Sequence, residues 1–182
     1  MEKMLLHTCC APCSTAVIER LAPNYNLTVL YYNPNIYPQE DYLKRKGEQI
    51  RYIKILKEKG INVDFLDCDY NQDEFFNAVK GQEDEPEGGA RCAICFALRL
   101  DYVARKAKEL GYDIFATTLT VSPHKNAAVI NDIGGRLAAK YGMPYLVSDF
   151  KKQDGYKRSI VLSRENNIYR QNYCGCKFSI WF

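Results

Sequence analysis

Met4-Leu5-Leu6-His7-Thr8-Cys9-Cys10-Ala11-Pro12-Cys13-Ser14-Thr15-Ala16-Val17-Ile18-Glu19-Arg20-Leu21 is the stretch on which the fold turns. Met4 to His7 is a short apolar run that reads as a buried strand, and Ser14 to Leu21 has helical spacing with Ser14 placed to cap it. Between them stands Cys9-Cys10-Ala11-Pro12-Cys13, so thiols follow a strand end directly and precede a helix. A strand feeding a helix through a short turn is the repeating unit of an α/β chain.

The unit recurs outward from there. Leu27 to Tyr32 is β-rich and ends at the turn Asn33-Pro34-Asn35, and Glu40 to Lys59 is a long charged helix closed by Gly60. Ile61 to Leu66 reads as a third strand and Asp73 to Val79 as a short helix. Gly81 to Ala90 holds four acids, one proline and three glycines and is a loop. Arg91 to Leu110 is a helix, Asp113 to Leu119 a fourth strand, Asn126 to Tyr141 a helix, and Tyr145 to Ser148 a fifth strand. This alternation predicts an α/β fold: a doubly wound, mostly parallel sheet covered on both faces, with ligands beyond the carboxyl ends of the strands. One domain over residues 1–182 is expected, with the sheet and helices in 1–150 and a basic segment, 151–182, packed on them.

Of the 182 residues 47% are hydrophobic, which is enough for a core without disulfide staples. No apolar run reaches the roughly 18 residues of a membrane span. Met1 to His7 breaks into Thr8-Cys9-Cys10 before a signal-peptide core can form, so a soluble cytoplasmic protein without a membrane partner is expected. Neither G-x-x-x-x-G-K-S/T nor G-x-G-x-x-G occurs, and no Ser-Gly-Gly-x-Asp-Ser loop follows the first strand. ATP is therefore not expected.

Eight cysteines are the anomaly, and seven of them fall in three tight groups: 9, 10 and 13; 92 and 95; 174 and 176. A reducing cytoplasm makes a disulfide framework a poor account of them. Cys68 stands alone and reads as a small core hydrophobe. Cys92-Ala93-Ile94-Cys95 has the spacing with which two thiolates reach one metal or cluster, in the first turn of a helix whose dipole favours thiolate. Cys9 and Cys10 are neighbours, and neighbouring side chains of an extended or helical chain diverge, so they are not expected to grip one ion together. A cluster of several irons accepts such a pair more readily, which favours iron–sulfur and keeps structural zinc as the alternative. Cys174-Gly175-Cys176 as a disulfide would close a small, strained ring suited to passing two electrons; ligation by both thiolates is its alternative.

Charge is uneven along the chain. Residues 151–182 carry seven Lys/Arg against two acids, whereas residues 1–150 carry 18 basic and 20 acidic groups. Lys151, Lys152, Lys157 and Arg158, interleaved with Tyr156, suit RNA phosphates and splayed bases, or equally a solvated surface over core tyrosines. With only His7 and His124, a histidine-based hydrolytic metal site is not expected. His7 reads as a core histidine making one hydrogen bond. Ser122, His124, Lys125 and Asn126 lie at a strand end before a helix, where they suit an anionic or hydroxyl-rich ligand or simply form a turn and cap.

Five stretches in order carry a family resemblance: His7-Thr8-Cys9-Cys10-Ala11-Pro12-Cys13; Gly89-Ala90-Arg91-Cys92-Ala93-Ile94-Cys95; Thr117-Thr118-Leu119-Thr120-Val121-Ser122-Pro123-His124-Lys125-Asn126; Asp149-Phe150-Lys151-Lys152 with Gly155-Tyr156-Lys157-Arg158-Ser159; and Tyr169-Arg170-Gln171-Asn172-Tyr173-Cys174-Gly175-Cys176. The chain resembles, over nearly its whole length, the cobalamin-independent epoxyqueuosine reductases, the QueH family. The resemblance implies an adenine nucleotide alpha hydrolase-like (HUP-type) topology that works with iron in place of ATP and without cobalamin. It implies reduction of the epoxide of epoxyqueuosine, at the wobble position of tRNA, to the cyclopentene of queuosine. That is the last step of queuosine synthesis, consuming two electrons and two protons and releasing water. By carry-over, Cys9, Cys10, Cys92 and Cys95 are ligands of a 4Fe–4S cluster and Cys174 and Cys176 a redox-active disulfide. The implied partners are the tRNA anticodon loop and an unidentified electron donor.

The first two cysteine groups hold five thiolates where one cluster takes four. The surplus is assigned to Cys13, because the helix begins immediately after it. With a carboxylate such as Asp69, at the end of the third strand, it is expected to hold a second metal, iron or another divalent ion, acting as a Lewis acid on the epoxide oxygen. Two other classes stay open on the sequence. One is a non-catalytic, zinc-stabilised RNA-binding domain; the other is a thiol–disulfide oxidoreductase acting on proteins.

Overall fold

The computed structural model describes residues 1–180. Its strands are β1 (Glu2–His7), β2 (Tyr25–Leu30), β3 (Val63–Leu66) and β4 (Ile114–Thr117). The helices are α1 (Ala11–Leu21), α2 (Gln39–Glu58), α3 (Gln72–Ala78), α4 (Ala90–Glu109), α5 (Ala127–Tyr141) and α6 (Gly155–Glu165). All strand pairings are parallel, in the order β3-β2-β1-β4, with Leu6 beside Val29 on one edge of β1 and Ala116 on the other.

Successive side chains of β1 point to opposite faces of the sheet, and both faces are buried. Met4 and Leu6 pack with Leu27, Val29, Val17, Ile18 and Ile53 under α1 and α2. Leu5 packs with Leu30, Phe115, Leu100, Val103 and Ile130 under α4 and α5. From β1 the chain winds outward to β2 and β3, then returns to place β4 on the other side of β1. That reversal opens a crevice beyond the carboxyl ends of β1 and β4, where sheets of this kind bind ligands.

Three local features differ from the sequence expectations. First, α1 begins at Ala11, with Cys10 as its N-cap, instead of at a Ser14 cap. Pro12 falls in the first turn, where no N–H is required. Ser14 is thereby buried inside the helix, donating its hydroxyl to Ala11 O at 2.8 Å and accepting from Gln49 Nε2 at 3.1 Å. Second, residues 145–148 form no strand beyond one parallel bridge between Phe115 and Tyr145. The Asn131 side chain takes the place of the ladder, donating to Ser148 O at 2.8 Å and accepting from Ser148 N at 3.3 Å.

Third, the basic segment contains a helix, α6, that packs on α1. Of its buried positions Gly155, Ser159, Leu162 and Ser163, three are small and recur every fourth residue, so the packed stripe is mostly small with one apolar side chain. Arg158 forks onto Glu19 of α1, Nε to Oε2 at 2.9 Å and Nη2 to Oε1 at 2.7 Å. At Gly155 any side chain is excluded: a Cβ would lie 1.7 Å from Phe150 O. Gly155→Ala is therefore expected to cost about 1–3 kcal/mol of unfolding free energy, the usual range for forced overpacking. Urea denaturation measures it; a value within about 0.5 kcal/mol of wild type would show that the seat of α6 does not depend on this glycine.

Candidate metal centre

The crevice at the switch point is walled by sulfur. Cys9 lies one residue beyond the end of β1, after Thr8, and Cys10 takes the N-cap of α1 in extended backbone, φ −167° and ψ 159°. The chain is neither strand nor helix at this junction, and the neighbouring side chains, expected to diverge, converge. The Cys9 and Cys10 sulfurs are 3.8 Å apart, and together with Cys13 all three Sγ atoms lie within 4.8 Å of one another.

Cys92 and Cys95 sit in the first two turns of α4, and the Gly88 N–H donates to Cys92 Sγ at 3.2 Å. The acidic loop before α4 is held by buried Arg91, which donates to the carbonyls of Glu83 at 3.1 Å and of Glu85, and to Ser179 Oγ at 3.4 Å.

Cys174 and Cys176 arrive from the far end of the chain. Cys176 bridges Ile36, and the Tyr37 N–H donates to Gly175 O at 2.8 Å. Buried Arg45 donates to the carbonyls of Tyr173 and Cys174, each at 3.2 Å, while its Nε meets Asp41 at 2.7 Å. Gly175 has φ +108°, and a Cβ there would come within 2.9 Å of Ile36 Cγ1. Both cysteines are free thiols.

The three groups line two adjoining cavities. One, about 320 Å³, is bordered by Cys92, Cys95, Cys174, Cys176, Arg99 and Asn126. The other, about 290 Å³, is bordered by Cys9, Cys10, Cys13, Cys174, Ser122 and Tyr156. His124, Lys125, Glu87 and Cys174 belong to both walls. A larger and more open groove, about 600 Å³ and lined by Leu43, Lys44, Arg164 and Tyr169, lies away from every cysteine.

Electrostatics divide the thiols. Hydrogen bonds from Cys10 and Cys13 pull the Cys9 thiol well below its ordinary range, overcoming its burial, and the Lys125 and Arg99 charges add to this. Cys13 is pushed up, chiefly by its bonds to Cys10 and Cys9. Burial pushes Cys95 up to about 11, against the pull of Arg99. Burial works against the Lys125 charge, but Cys9, Cys13 and Cys174 outweigh it and raise its pKa. His7 is lowered to about 4 by burial and then by Arg99.

A sequence model described as Epoxyqueuosine reductase QueH matches residues 4–181. This chain belongs to the QueH family. The protein named Epoxyqueuosine reductase QueH from Streptococcus pyogenes serotype M1 is 47% identical over 177 residues, covering 97% of this chain and 69% of that protein. Its namesake from Thermotoga maritima is 37% identical, covering 99% of this chain and 91% of that protein. Among solved structures, the U34-tRNA thiolase NcsA from Methanococcus maripaludis with its [4Fe-4S] cluster aligns with a TM-score of 0.50 at 16% identity, over 99% of this chain and 62% of that one. A predicted subunit of tRNA methyltransferase from Methanocaldococcus jannaschii aligns with a TM-score of 0.51 at 16% identity, over 89% and 76% of the two chains. At that identity the likeness speaks for the fold alone, and it bears out the adenine nucleotide alpha hydrolase-like topology expected of a QueH chain.

Most of the residues that the sequence singles out meet at the cavities. Ser122, His124, Lys125 and Asn126 line them, and the Asn126 side chain also caps α5, accepting from Val129 N at 3.2 Å. Of Lys151, Lys152, Tyr156, Lys157 and Arg158, only Tyr156 reaches a cavity wall. Lys151 is tied to Asp149 at 3.0 Å and to Thr120 O at 3.1 Å, and Arg158 to Glu19, so both serve internal contacts. Lys152 and Lys157 are exposed and line neither cavity.

Asp69 does not join Cys13. It is exposed and lines a separate depression with Asp67, Cys68 and Tyr70, because β3 is the edge strand farthest from β4. Cys68 is half-buried beside it and donates its thiol to Tyr31 O at 3.1 Å. His7 makes more than one bond. Its Nε2 donates to Tyr32 O at 3.0 Å and Asn33 Oδ1 at 3.2 Å, and its Nδ1 accepts from the Thr117 hydroxyl at 3.0 Å. No local sequence pattern marks Arg45, Arg91 or Asn33 as part of the site. For Arg99 a signal exists: it follows Cys92 and Cys95 at i+7 and i+4, on the same face of the helix.

Arg45→Met is expected to free the Cys174–Cys176 loop by leaving two carbonyls unpaired and Asp41 without its cation, and Gly175→Ala by straining it. Both variants are expected to raise the alkylation rate of Cys174 in reduced, metal-free protein at least about tenfold, about 1.4 kcal/mol of lost closure. Mass-resolved iodoacetamide labelling reads this, and a wild-type rate in both would show that the clamp is not needed.

Proposed function

We propose that this protein reduces the epoxide of epoxyqueuosine at the wobble position of tRNA to queuosine, in the cytoplasm. Family membership supplies the reaction, and the convergence of seven cysteines on two adjoining cavities at the switch point carries it to this chain. Thiolates in that number suit an iron–sulfur cluster, and the cationic Arg99 and Lys125 beside them suit its negative charge. In this reading Cys9, Cys10, Cys92 and Cys95 hold a 4Fe–4S cluster. Cys13 is left for a second metal, iron or another divalent ion. Glu87, the one carboxylate among the described residues lining both cavities, takes the place first assigned to Asp69. When bound, the cluster supplies single electrons, and neither ATP nor cobalamin is required.

The chain's own residues bind, orient and protonate. Reduction breaks both C–O bonds of the epoxide, takes up two electrons and two protons, and leaves an alkene and water. Lys125 keeps its charge beside the sulfurs and stands in the wall shared by the cavities, where Nζ can hold the epoxide oxygen and give it a proton. The N-terminus of α5, capped by Asn126, favours negative charge developing at the same place. Oxidation of the Cys174 and Cys176 thiols to a disulfide releases two electrons and two protons, matching the demand. An external electron donor then returns the pair to thiols. Arg170, which lines the Cys9 cavity beside Tyr156, and exposed Lys152 and Lys157 of the same segment serve in this reading as contacts for anticodon-loop phosphates.

Anaerobic reconstitution with iron and sulfide is expected to give a coloured protein with about four irons or more per chain. It should convert epoxyqueuosine in tRNA to queuosine, read by nucleoside mass analysis. Cys92→Ser should lose iron, whereas Cys174→Ser should keep it and lose turnover. A colourless protein that binds zinc and no iron would favour a structural RNA-binding role. For RNA, Lys152→Glu combined with Arg170→Glu is expected to weaken tRNA binding and to reduce the salt slope by about 1 per lost phosphate contact. Unchanged binding and slope would remove these residues from the interface.

A further inference from the structure

Arg99 is 3% exposed on α4, yet none of the ion pairs among the described residues includes it. Its hydrogen-bond partners are neutral: Nη1 donates to Asn33 Oδ1 at 3.3 Å and Nε to Cys95 O at 3.5 Å. Burying a guanidinium against neutral groups alone costs several kcal/mol, and a guanidinium cannot escape the cost by losing its proton. Arg45, equally buried, has Asp41 at 2.7 Å, and Arg91, likewise without an ion pair, donates to three loop carbonyls and the Ser179 hydroxyl, whereas Arg99 has only its two long bonds. What Arg99 has instead is sulfur, for it lines the cavity of Cys92, Cys95 and Cys174.

We propose that Arg99 is the built-in counter-charge of the sulfur centre and a positioning residue that raises its reduction potential. The inference rests on the cluster reading above. Each electron added makes the centre more negative, and a fixed cation in a water-poor site stabilises that gain more strongly than water-screened charges do. Asn33 aims the guanidinium. Its Oδ1 accepts from both Arg99 and His7 Nε2, and its Nδ2 donates to Thr8 O at 2.8 Å. His7 is in turn fixed by Thr117, whose oxygen also accepts from Leu119 N at 3.2 Å. The ends of β1 and β4 thus hold a charge carried by α4.

The test is a redox titration of the anaerobically reconstituted full chain, with iron counted in every sample. Arg99→Met is expected to raise the oxidised-to-reduced ratio at fixed potential at least tenfold, which is 59 mV for one electron. Asn33→Asp, nearly the same shape, sets a carboxylate against the guanidinium and should shift the ratio the same way with iron retained. Arg99→Lys should stay within twofold of wild type. Wild-type potential in iron-replete Arg99→Met and Asn33→Asp would overturn the proposal. If Arg99→Met fails to hold iron, Asn33→Asp decides alone: a shifted potential supports the assignment and an unshifted one ends it. A wild-type chain that takes up no iron would instead remove the cluster reading, and this inference with it.

Discussion

β1 is paired on both edges and buried on both faces, and the rest of the molecule depends on how such a strand can end. With β2 on one side, β4 on the other, and a helical layer above and below, its chain can emerge only into the gap between those layers. Cys9, Cys10 and Cys13 occupy that outlet because they are the residues that follow. The bend from strand to helix turns adjacent side chains toward one another, which regular structure on either side would forbid. A centre of soft ligands is thereby built where a doubly wound sheet already concentrates helix N-termini.

Loops are made rigid around this outlet by buried arginines. Arg91 holds the acidic loop by its carbonyls, and Arg45 holds the Cys174 loop in the same way. Backbone oxygens that would otherwise face a low-dielectric interior are satisfied, and the loops become cavity walls. Cations near the sulfurs also oppose the repulsion that several thiolates would exert on one another. The arrangement links packing to chemistry, since the same buried charges order the walls and bias what the walls enclose.

The alternation of strands and helices is legible because β1, β2 and β4 are short apolar runs separated by turn residues, and the cysteine groups stand out by their spacing. The fate of the fifth strand is not, because apolar alternation at Tyr145–Val147 carries no information that Asn131 would satisfy Ser148 instead. Helix α6 carries little apolar signal for a related reason: three of its four buried positions, Gly155, Ser159 and Ser163, are small or polar, with Leu162 the one apolar member. Asp69 looked suitable because it ends a strand, but β3 lies two strands from β4, a fact of topology that no local pattern holds. The arginines were missed because Arg is ordinarily a surface residue, and only its partners, scattered over the chain, reveal a buried one.

Arg45 and the carbonyl it grips at Cys174 are 129 positions apart, and Cys9 lies earlier still. A ribosome therefore exposes the first three thiols long before the segment that closes over them exists. Until then Cys9, Cys10 and Cys13 have no Cys174 beside them and are open to oxidants and stray metals. Closure of the sulfur-lined crevice thus waits for the segment that carries Cys174, a latch made well after the thiols it covers.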